Sequence, residues 1–470
     1  MTAGFTIAGV TVIDGTGAPG FVGDVTVEGD RIAAVVATPD APATGLALAP
    51  GFVDTHTHDD FAAVVHPDMA FKVLGGVTTC VVGNCGMGAA PFPVASLMAA
   101  AFHPGHELPR WDGYAGYLDR LDAQPPSVNV AALVGHGTVR GTVMRGADRA
   151  PISDELDAMR ALVEEGMAAG CIGMSTGLVY EPGKHAATDE LVALARVVAA
   201  AGGIYTSHIR DEGDGLLDAV DEAIAVGARA GLPVVVSHLK ASGANNWGRV
   251  VEALARLDAA GPTVAADQYP YTAGSTILAA VLADRERFAT GLEPKDVVIA
   301  STAHHPEWHG RTLAELDGDE VLAAEPTATV ILHTMSEDDV RTVLAHPGIM
   351  IGSDGIPTLD GQPHPRLYGT FARVLGHYSR DLGVLPLEQA VHRMTGRSAA
   401  VFGLTDRGAI RAGAFADLVL FDPERIVDVG TFDDPKHPPA GIEGVWVNGT
   451  KVVEGGEHLG ARPGRTLRRR

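Results

Sequence analysis

The middle of the chain repeats one pattern of apolar and polar positions. Short runs rich in Val, Ile, Ala and Gly alternate with longer stretches of helical spacing, such as SDELDAMRALVEEGMAAG and LLDAVDEAIAVGARAG. This alternation predicts βα units around a parallel sheet. We count about eight candidate strands, the number that closes a (β/α)8 TIM-like barrel. The candidates are GFVDTHTH, VTTCVVGN, VNVAALVGHG, IGMSTG, GIYTSHIR, PVVVSHLK, TVAADQYPY and GIMIGSDG.

Both ends of the chain show a different pattern, in which short alternating runs are separated by glycine-rich turns. Examples are FTIAGVTVI and DVTVEG near the start, and ADLVLFDP, GVWVNG and KVVEGG near the end. We therefore predict that residues 1–50 and 404–458 form one small β-sandwich-like domain. The barrel is predicted to occupy residues 51–403.

Two further segments interrupt this plan. Residues 284–345 lie between the seventh and eighth candidate strands, which is too long for a simple crossover and predicts an inserted subdomain or lid. Residues 459–470 end in RPGRTLRRR, and we expect them to form a frayed basic tail.

The composition excludes several classes of function. Lys and Arg total 35 against 58 Asp and Glu, and the resulting net charge of −23 disfavours nucleic acid and anionic membranes as partners. The chain has no signal-peptide pattern and no long apolar run, and its three cysteines are too few for a disulfide framework. We expect a cytoplasmic protein that acts on a small molecule, and the oligomeric state stays open.

Residues that bind metals follow the apolar runs of the candidate strands. The reactive groups of a parallel barrel come from the C-terminal ends of its strands. An H-x-H pair alone is equally compatible with two ordinary histidines on a polar edge, so the argument depends on the whole set. Thiolate, imidazole and carboxylate together are the ligands that zinc accepts. The set consists of His56, His58, Cys85, His208, His238 and Asp354.

Two patterns that would indicate other chemistry fail on their context. Residues 15–20 satisfy G-x-G-x-x-G, but a strand follows where a dinucleotide site needs a helix. Ser175 lies in a G-x-S-x-G pattern, but the residues after Gly177 continue as a loop rather than a helix. We assign no nucleophilic role to Ser175.

From PGFVDTHTHDD onward, the chain resembles the amidohydrolase superfamily, and specifically its N-acyl-D-amino-acid deacylase (D-aminoacylase) branch. The resemblance lies in GNCG, GMSTGLVYEPG, SHIRDEG, SHLKASG, DQYPYTAGST, GSDG and HPRLYGTFARVLG. It implies zinc-dependent hydrolysis of the amide bond of N-acyl-D-amino acids. Only the resemblance indicates the preference for the D enantiomer.

The resemblance also implies roles for the metal-binding residues. Cys85, His208 and His238 match the ligands of one tightly bound zinc ion. A second position, weakly occupied or absent, matches His56, His58 and Asp354, and Asp354 also matches the catalytic base. Many relatives use a bridging lysine on the fourth strand, but CIGMSTG contains none, so Cys85 is expected to bridge.

The substrate is expected to bind beyond the ligands. Tyr180 is a candidate donor to the developing oxyanion. The carboxylate-binding candidates are Lys240, Tyr271 and Arg366, which match the family's positions. The loop TAGSTILAAVLA carries no positive charge, and this favours a substrate with a hydrophobic side chain.

Two alternatives remain at this stage. One is another amidohydrolase that acts on cyclic amides, other N-acyl compounds or dipeptides. The other is a catalytically silent scaffold, which the complete ligand set disfavours.

Overall fold

The structure, a computed structural model, describes residues 4–283 and 292–469. Its centre is a nearly closed barrel of parallel strands, which confirms the predicted fold class and all of the candidate strands. The barrel strands are β5 (Phe52–Asp54), β6 (Val77–Val82), β7 (Asn129–Gly135), β8 (Gly173–Gly177), β9 (Ile204–His208), β10 (Val234–Val236), β11 (Val264–Gln268) and β15 (Ile349–Ile351).

The barrel strands are almost continuously apolar because helices cover their outer faces. Every residue of β6 and β7 is buried, and α8 turns Val220, Ala223 and Val226 toward the barrel. Within the described residues, none of the helices combines the length and apolar character that a membrane crossing requires. The helices are α1 (Ala62–Val65), α2 (Ala70–Val73), α3 (Phe92–Ala99), α4 (Gly113–Ala123), α5 (His136–Met144), α6 (Ser153–Ala169), α7 (Thr188–Ala200), α8 (Leu216–Ala230), α9 (Val250–Ala260), α10 (Leu278–Ala283), α11 (Gly318–Ala324), α12 (Glu337–Ala345), α13 (Arg366–Arg373), α14 (Leu387–Met394) and α15 (Gly396–Val401).

The barrel has a seam between its first and last strands. Parallel ladders run from β5 around to β15, but among the described residues no ladder joins β15 to β5. Among the described residues, one isolated backbone bridge links the two segments, and it lies beyond the strand ends, between Thr57 and Gly355. Asp354 N donates to His56 O at 2.7 Å, and His58 N donates to Gly355 O at 3.0 Å. The loops that follow β5 and β15 therefore form most of the seam.

A second sheet takes strands from both ends of the chain. Its order is β19-β18-β17-β16-β4-β1-β2-β3, and the antiparallel pair β4–β16 joins the two contributions. The predicted limits 1–50 and 404–458 of a separate domain stay a prediction, and residues 1–3 lie outside the described range. The strands are β1 (Phe5–Val12), β2 (Phe21–Glu28), β3 (Arg31–Ala37), β4 (Ala47–Pro50), β16 (Leu418–Phe421), β17 (Ile442–Val447), β18 (Thr450–Glu454) and β19 (Glu457–His458).

A small antiparallel sheet lies between β11 and β15 in the sequence. It consists of β12 (Gly274–Ile277), β14 (Thr329–Leu332) and β13 (Val297–Ser301), in that order. The sheet begins before residue 284, the predicted start of the insertion, and that residue lies outside the described residues. Leu278, Ile299 and Val330 form its apolar core with neighbouring side chains.

The expectation of a frayed C-terminal tail was wrong for residues 465–469. Leu467 N donates to Val130 O at 2.7 Å, and Arg468 Nη2 pairs with Asp119 at 2.8 Å and Asp122 at 2.7 Å. Leu467 also packs against the apolar cluster that fills the barrel. Burial of Leu467, backbone pairing with β7 and the ion pairs of Arg468 together hold this segment in place.

Candidate metal centre and active site

Two groups of potential ligands lie at the C-terminal rim of the barrel and share Cys85. Within each group, the ligand atoms lie within 4.8 Å of one another, and all of the side chains are buried. The structure therefore brings together every metal ligand that the sequence predicts. The first group is Cys85, His208 and His238, and the second is His56, His58, Cys85 and Asp354.

The thiol of Cys85 lies among three imidazoles. Its Sγ is 3.6 Å from His208 Nδ1, 3.6 Å from His238 Nε2 and 3.3 Å from His56 Nε2. Asp354 Oδ1 is 3.2 Å from His58 Nε2. One sulfur, several imidazole nitrogens and a carboxylate on converging loops are a donor set that fits zinc.

Three of these ligands have an unusual backbone conformation. The φ angles of Cys85, His238 and Asp354 are 53°, 37° and 49°, in the left-handed region that non-glycine residues rarely adopt. Hydrogen bonds fix two of these turns, since His238 N donates to Asp267 Oδ1 at 2.7 Å and Asp354 N donates to His56 O. Such strain is characteristic of functional sites.

The electrostatics of the site favour a thiolate. Burial would raise the pKa of Cys85, but His56, His208 and His238 outweigh it and hold the pKa well below its usual range. The thiolate is the form of cysteine that binds metals. At the seam, burial would lower the pKa of His58, whereas hydrogen bonds to Asp354 and Cys85 raise it to about 9.

Asp354 is paired with Arg366. Arg366 Nη2 lies 2.9 Å from Asp354 Oδ2, and the guanidinium stacks on Tyr269 at 4.4 Å from the ring centre. Burial would raise the pKa of Asp354, but Arg366 and the neighbouring imidazoles hold it well below its usual range. Arg366 is 0% exposed, and its Nε and Nη1 have no hydrogen-bond partner.

A buried lysine that sequence reasoning missed holds the seam together. Lys72 Nζ lies 2.7 Å from Asp54 Oδ2, 2.9 Å from Ser353 Oγ and 2.9 Å from Thr57 Oγ1. Asp54 also accepts a bond from Ser353 N at 2.8 Å. The network therefore joins the segment that carries His56 to the segment that carries Asp354. The only signal in the sequence is one lysine in an otherwise apolar stretch, AFKVLGG.

Glu212 supports the other side of the rim and was also missed. Its Oε1 is 3.0 Å from His238 Nδ1, 2.5 Å from Lys240 Nζ and 3.8 Å from His208 Nε2. Burial would raise the pKa of Glu212, but Lys240 and the two imidazoles hold it below its usual range. A carboxylate behind a ligating histidine fixes the orientation of the ring.

A cleft opens beside the first group. Tyr180 lies in its wall, with its ring 4.9 Å from that of His208 and its hydroxyl 3.0 Å from Thr276 Oγ1. The described lining also includes Val179, Lys240, Tyr269, Ser275, Leu332, Thr334 and Asp354.

The structure places Tyr271 outside the described lining of this cleft, and its role as a substrate-binding residue stays a prediction. The Tyr271 hydroxyl lies 3.5 Å from Asp428 Oδ2, and Arg373 stacks on its ring. Tyr269 lines the cleft instead, two residues earlier in the same loop. Ser175 has a structural role, as expected, because Gly86 N donates to its Oγ at 2.9 Å and its hydroxyl donates to Gly83 O.

Comparisons with known proteins find relatives that match almost the full length of this chain. The chain is 44% identical to the D-aminoacylase of Alcaligenes xylosoxydans xylosoxydans over 98% of this chain and 97% of that protein. A D-aminoacylase structure with a binuclear metal centre, described as activated by one metal and attenuated by the second, is 42% identical, covers 99% of both chains and has a TM-score of 0.88. The N-acyl-D-glutamate deacylase of Bordetella bronchiseptica, solved with zinc and a phosphonate mimic of the tetrahedral intermediate, is 42% identical over 99% of both chains with a TM-score of 0.90.

A sequence profile described as the Amidohydrolase family matches residues 42–262 and 319–453. These residues include every barrel strand except β11, and all of the candidate ligands at the rim. The resemblance that the motifs indicated is confirmed. This chain belongs to the amidohydrolase family.

Proposed function

We propose that this protein hydrolyses the amide bond of N-acyl-D-amino acids, with zinc, to release a carboxylate and a free D-amino acid. The observation that carries the proposal is the pair of ligand groups that share Cys85 at the rim. The relatives described above, which match almost the full length of the chain, support the substrate class.

In this proposal, Cys85, His208 and His238 would hold one zinc ion tightly. His56, His58 and Asp354, together with Cys85, would hold a second ion more weakly. When bound, zinc supplies a Lewis acid that polarises a carbonyl and lowers the pKa of water.

Asp354 is the proposed general base and acid. It is ionised next to Arg366, and its Oδ1 faces the imidazoles of the rim. From this place the carboxylate can accept a proton from the attacking water and return it to the departing amine nitrogen. Without that proton the amine is a poor leaving group.

Tyr180 is the proposed donor to the oxyanion that develops from the carbonyl. Burial, followed by the nearby Cys85, raises the pKa of Tyr180 well above its usual value, so the hydroxyl keeps its proton. Its hydrogen bond to Thr276 orients the hydroxyl at the cleft wall.

Lys240 and Arg366 are the proposed partners of the substrate carboxylate. Lys240 lines the cleft, and Arg366 supplies two guanidinium nitrogens that lack partners. Burial of unsatisfied donors is costly, so a carboxylate that reaches them gains charge-assisted hydrogen bonds.

The cleft favours a substrate with a neutral, apolar side chain. Among the described lining residues, the cations are Lys240, which is assigned to the substrate's own carboxylate, and Arg210, which is paired with Glu222. Val179 and Leu332 supply apolar surface. We therefore propose leucine, methionine or phenylalanine as the amino acid.

The insertion is the proposed lid of this cleft, because its strand β14 contributes Leu332 to the lining and pairs with β12, which contributes Ser275. The three free cysteines and the net charge of −23 support a cytoplasmic protein with neither nucleic acid nor membrane as a partner.

The test combines metal analysis with an enantiomer assay on one purified sample. We expect about one zinc ion per chain and hydrolysis of N-acetyl-D-methionine and N-acetyl-D-leucine, with N-acetyl-D-glutamate slower. The L enantiomers and a hydantoin serve as comparison substrates. Faster turnover of either comparison substrate would contradict the proposal.

A further inference from the structure

A second histidine cluster lies outside the catalytic rim. His66 follows α1, and His103 and His106 follow α3. The ring centres of His66 and His106 are 5.1 Å apart, those of His66 and His103 5.9 Å, and those of His103 and His106 6.4 Å. We call these three residues the histidine triad.

We propose that the histidine triad, with Asp360, is a second metal site, which binds a divalent transition-metal ion of the zinc class. It would be distinct from both positions at the rim, and the proposal does not depend on the hydrolytic activity. Three imidazoles, with a fourth position for water, are a donor set that zinc accepts in proteins.

The spacing of the rings supports a common ion. Zinc–nitrogen bonds of about 2.0–2.1 Å in tetrahedral geometry place two ligating imidazole centres about 5 Å apart. The ligand histidines of the rim match that value, with 4.4 Å between His208 and His238 and 5.7 Å between His56 and His58. The triad spans 5.1 to 6.4 Å, so it is slightly more open than the rim.

His103 is the second, independent observation. It is 3% exposed, and neither of its ring nitrogens has a hydrogen-bond partner. Buried polar atoms are normally satisfied, so an imidazole with two free nitrogens indicates a missing partner. Burial, with His66 and His106 next, lowers the pKa of His103 to about 3, and the ring therefore stays in the neutral form that binds metals.

Asp360 supports the proposed site by contacting the ring of His106. Its Oδ2 lies 3.2 Å from His106 Nε2. A carboxylate on one nitrogen of a histidine fixes the tautomer and leaves the other nitrogen for the ion. The carboxylate also supplies negative charge, which offsets the charge of a divalent cation.

The triad must close slightly to hold the ion. In the described part of the chain, the only ligand atoms found within 4.8 Å of one another in groups of three or more belong to the rim. His106 can make the adjustment, because its side chain is 33% exposed and lies in the loop after α3. Binding of one ion by all three histidines would connect the end of α1 to the segment that contains Phe102. The ring centre of Phe102 lies 5.6 Å from that of His58.

The test counts bound zinc rather than activity. The full-length protein is dialysed against rising free Zn²⁺, and zinc per chain is measured by mass spectrometry. We expect His106→Asn and His66→Asn each to lose one equivalent at saturation relative to wild type. His103 is buried, so a substitution there would also disturb the packing. The main test variant is therefore at the exposed His106, and His66→Asn is an independent repeat.

His305→Asn is the matched control. His305 is also a loop histidine beside a carboxylate, with Nδ1 2.9 Å from Glu307 Oε1. It should keep the full zinc count. Equal zinc binding by wild type and both triad variants would overturn the proposal, and so would the same loss in His305→Asn.

Repeating the titration with Asp354→Asn distinguishes zinc at the second position of the rim from zinc at the histidine triad. If the triad is its own site, adding His106→Asn to this variant still removes one equivalent. If the addition removes nothing, the zinc belonged to the rim and the proposal is wrong.

Discussion

The two sides of the catalytic rim are built differently. His208 is the last residue of β9, and His238 lies two residues beyond the end of β10, the strand that a parallel ladder joins to β9. His56, His58 and Asp354 lie at the seam, where no ladder joins β5 to β15 within the described residues. There, Lys72, Asp54 and Ser353 replace the ladder with side-chain bonds.

This difference is our explanation for the proposed tight and weak metal positions. Backbone pairing of β9 with β10 positions the segments that carry His208 and His238 before any ion binds, which lowers the cost of organising the site. At the seam, the ligands depend on a buried charge network.

Removal of the shared ligand should have the largest effect. Cys85→Ala takes a donor from both positions, and we expect the purified variant to contain almost no zinc and to lose measurable turnover. Zinc analysis and the N-acetyl-D-methionine assay check this. Cys171→Ala, which removes another buried free cysteine, should keep both properties. Full zinc content in Cys85→Ala would refute the shared-ligand arrangement.

A change confined to the seam should separate chemistry from the tight metal. In Asp354→Asn the side chain keeps its shape but cannot accept the proton. We expect kcat to fall by about 10²- to 10⁴-fold, the usual contribution of a general base. Zinc at Cys85, His208 and His238 should remain. Turnover close to wild type would remove Asp354 from the role of base.

Disruption of the seam network tests whether it positions the weak site. Lys72→Met leaves Asp54 and Asp59 without their cation, and we expect stability to fall by about 3–5 kcal/mol. The affinity of the second ion should fall by about 10- to 100-fold while the first ion stays bound. Titration with Zn²⁺ and denaturant unfolding measure the two effects.

Lys451→Met is the control for Lys72→Met, because Lys451 forms a partly exposed pair with Glu454 in β18, in the sheet built from both ends of the chain. It should change neither quantity beyond a few tenths of a kcal/mol. Lys72→Arg, which keeps the charge, should recover part of the second ion's affinity. Equal loss of both ions in Lys72→Met would show that the lysine acts on the whole fold and not on the seam.

The smallest effect is expected at the opposite end of the barrel. Leu467→Ala should lower the free energy of unfolding by about 1–2 kcal/mol, because a partly buried leucine loses its packing against the barrel cluster. Zinc content and kcat should stay unchanged, since Leu467 pairs with Val130 at the start of β7. A change in zinc content would mean that the tail also influences the rim.

The barrel and its ligands could be predicted because both are encoded locally. Apolar runs of strand length end in residues such as Cys85, His208 and Asp354, and the parallel topology then places those ends at one rim. The seam could not be predicted in this way. A lysine in AFKVLGG gives no sign that its partners are Asp54 and Ser353. Asp54 ends the first barrel strand, and Ser353 follows the last one.

Two differences between the expected and the observed structure have the same origin. Tyr269 and Tyr271 are two residues apart in DQYPYTAG, and the turn through Pro270 decides which of them faces the cleft. A frayed tail was expected from the charge of the arginines, whereas Leu467 finds its partners on β7, far away in the sequence. Tertiary contacts decided both cases.

The pairing of β4 with β16 also sets the order of events during synthesis. Strands β1 to β4 leave the ribosome before the barrel strands, but the edge of β4 that faces away from β1 has no partner until residues 418–421 have been made. At about 5–20 residues per second, translation of the intervening barrel takes tens of seconds. During that time an open strand edge is available to other nascent chains. Yield of the active enzyme should therefore depend on chaperone supply and on the rate of translation.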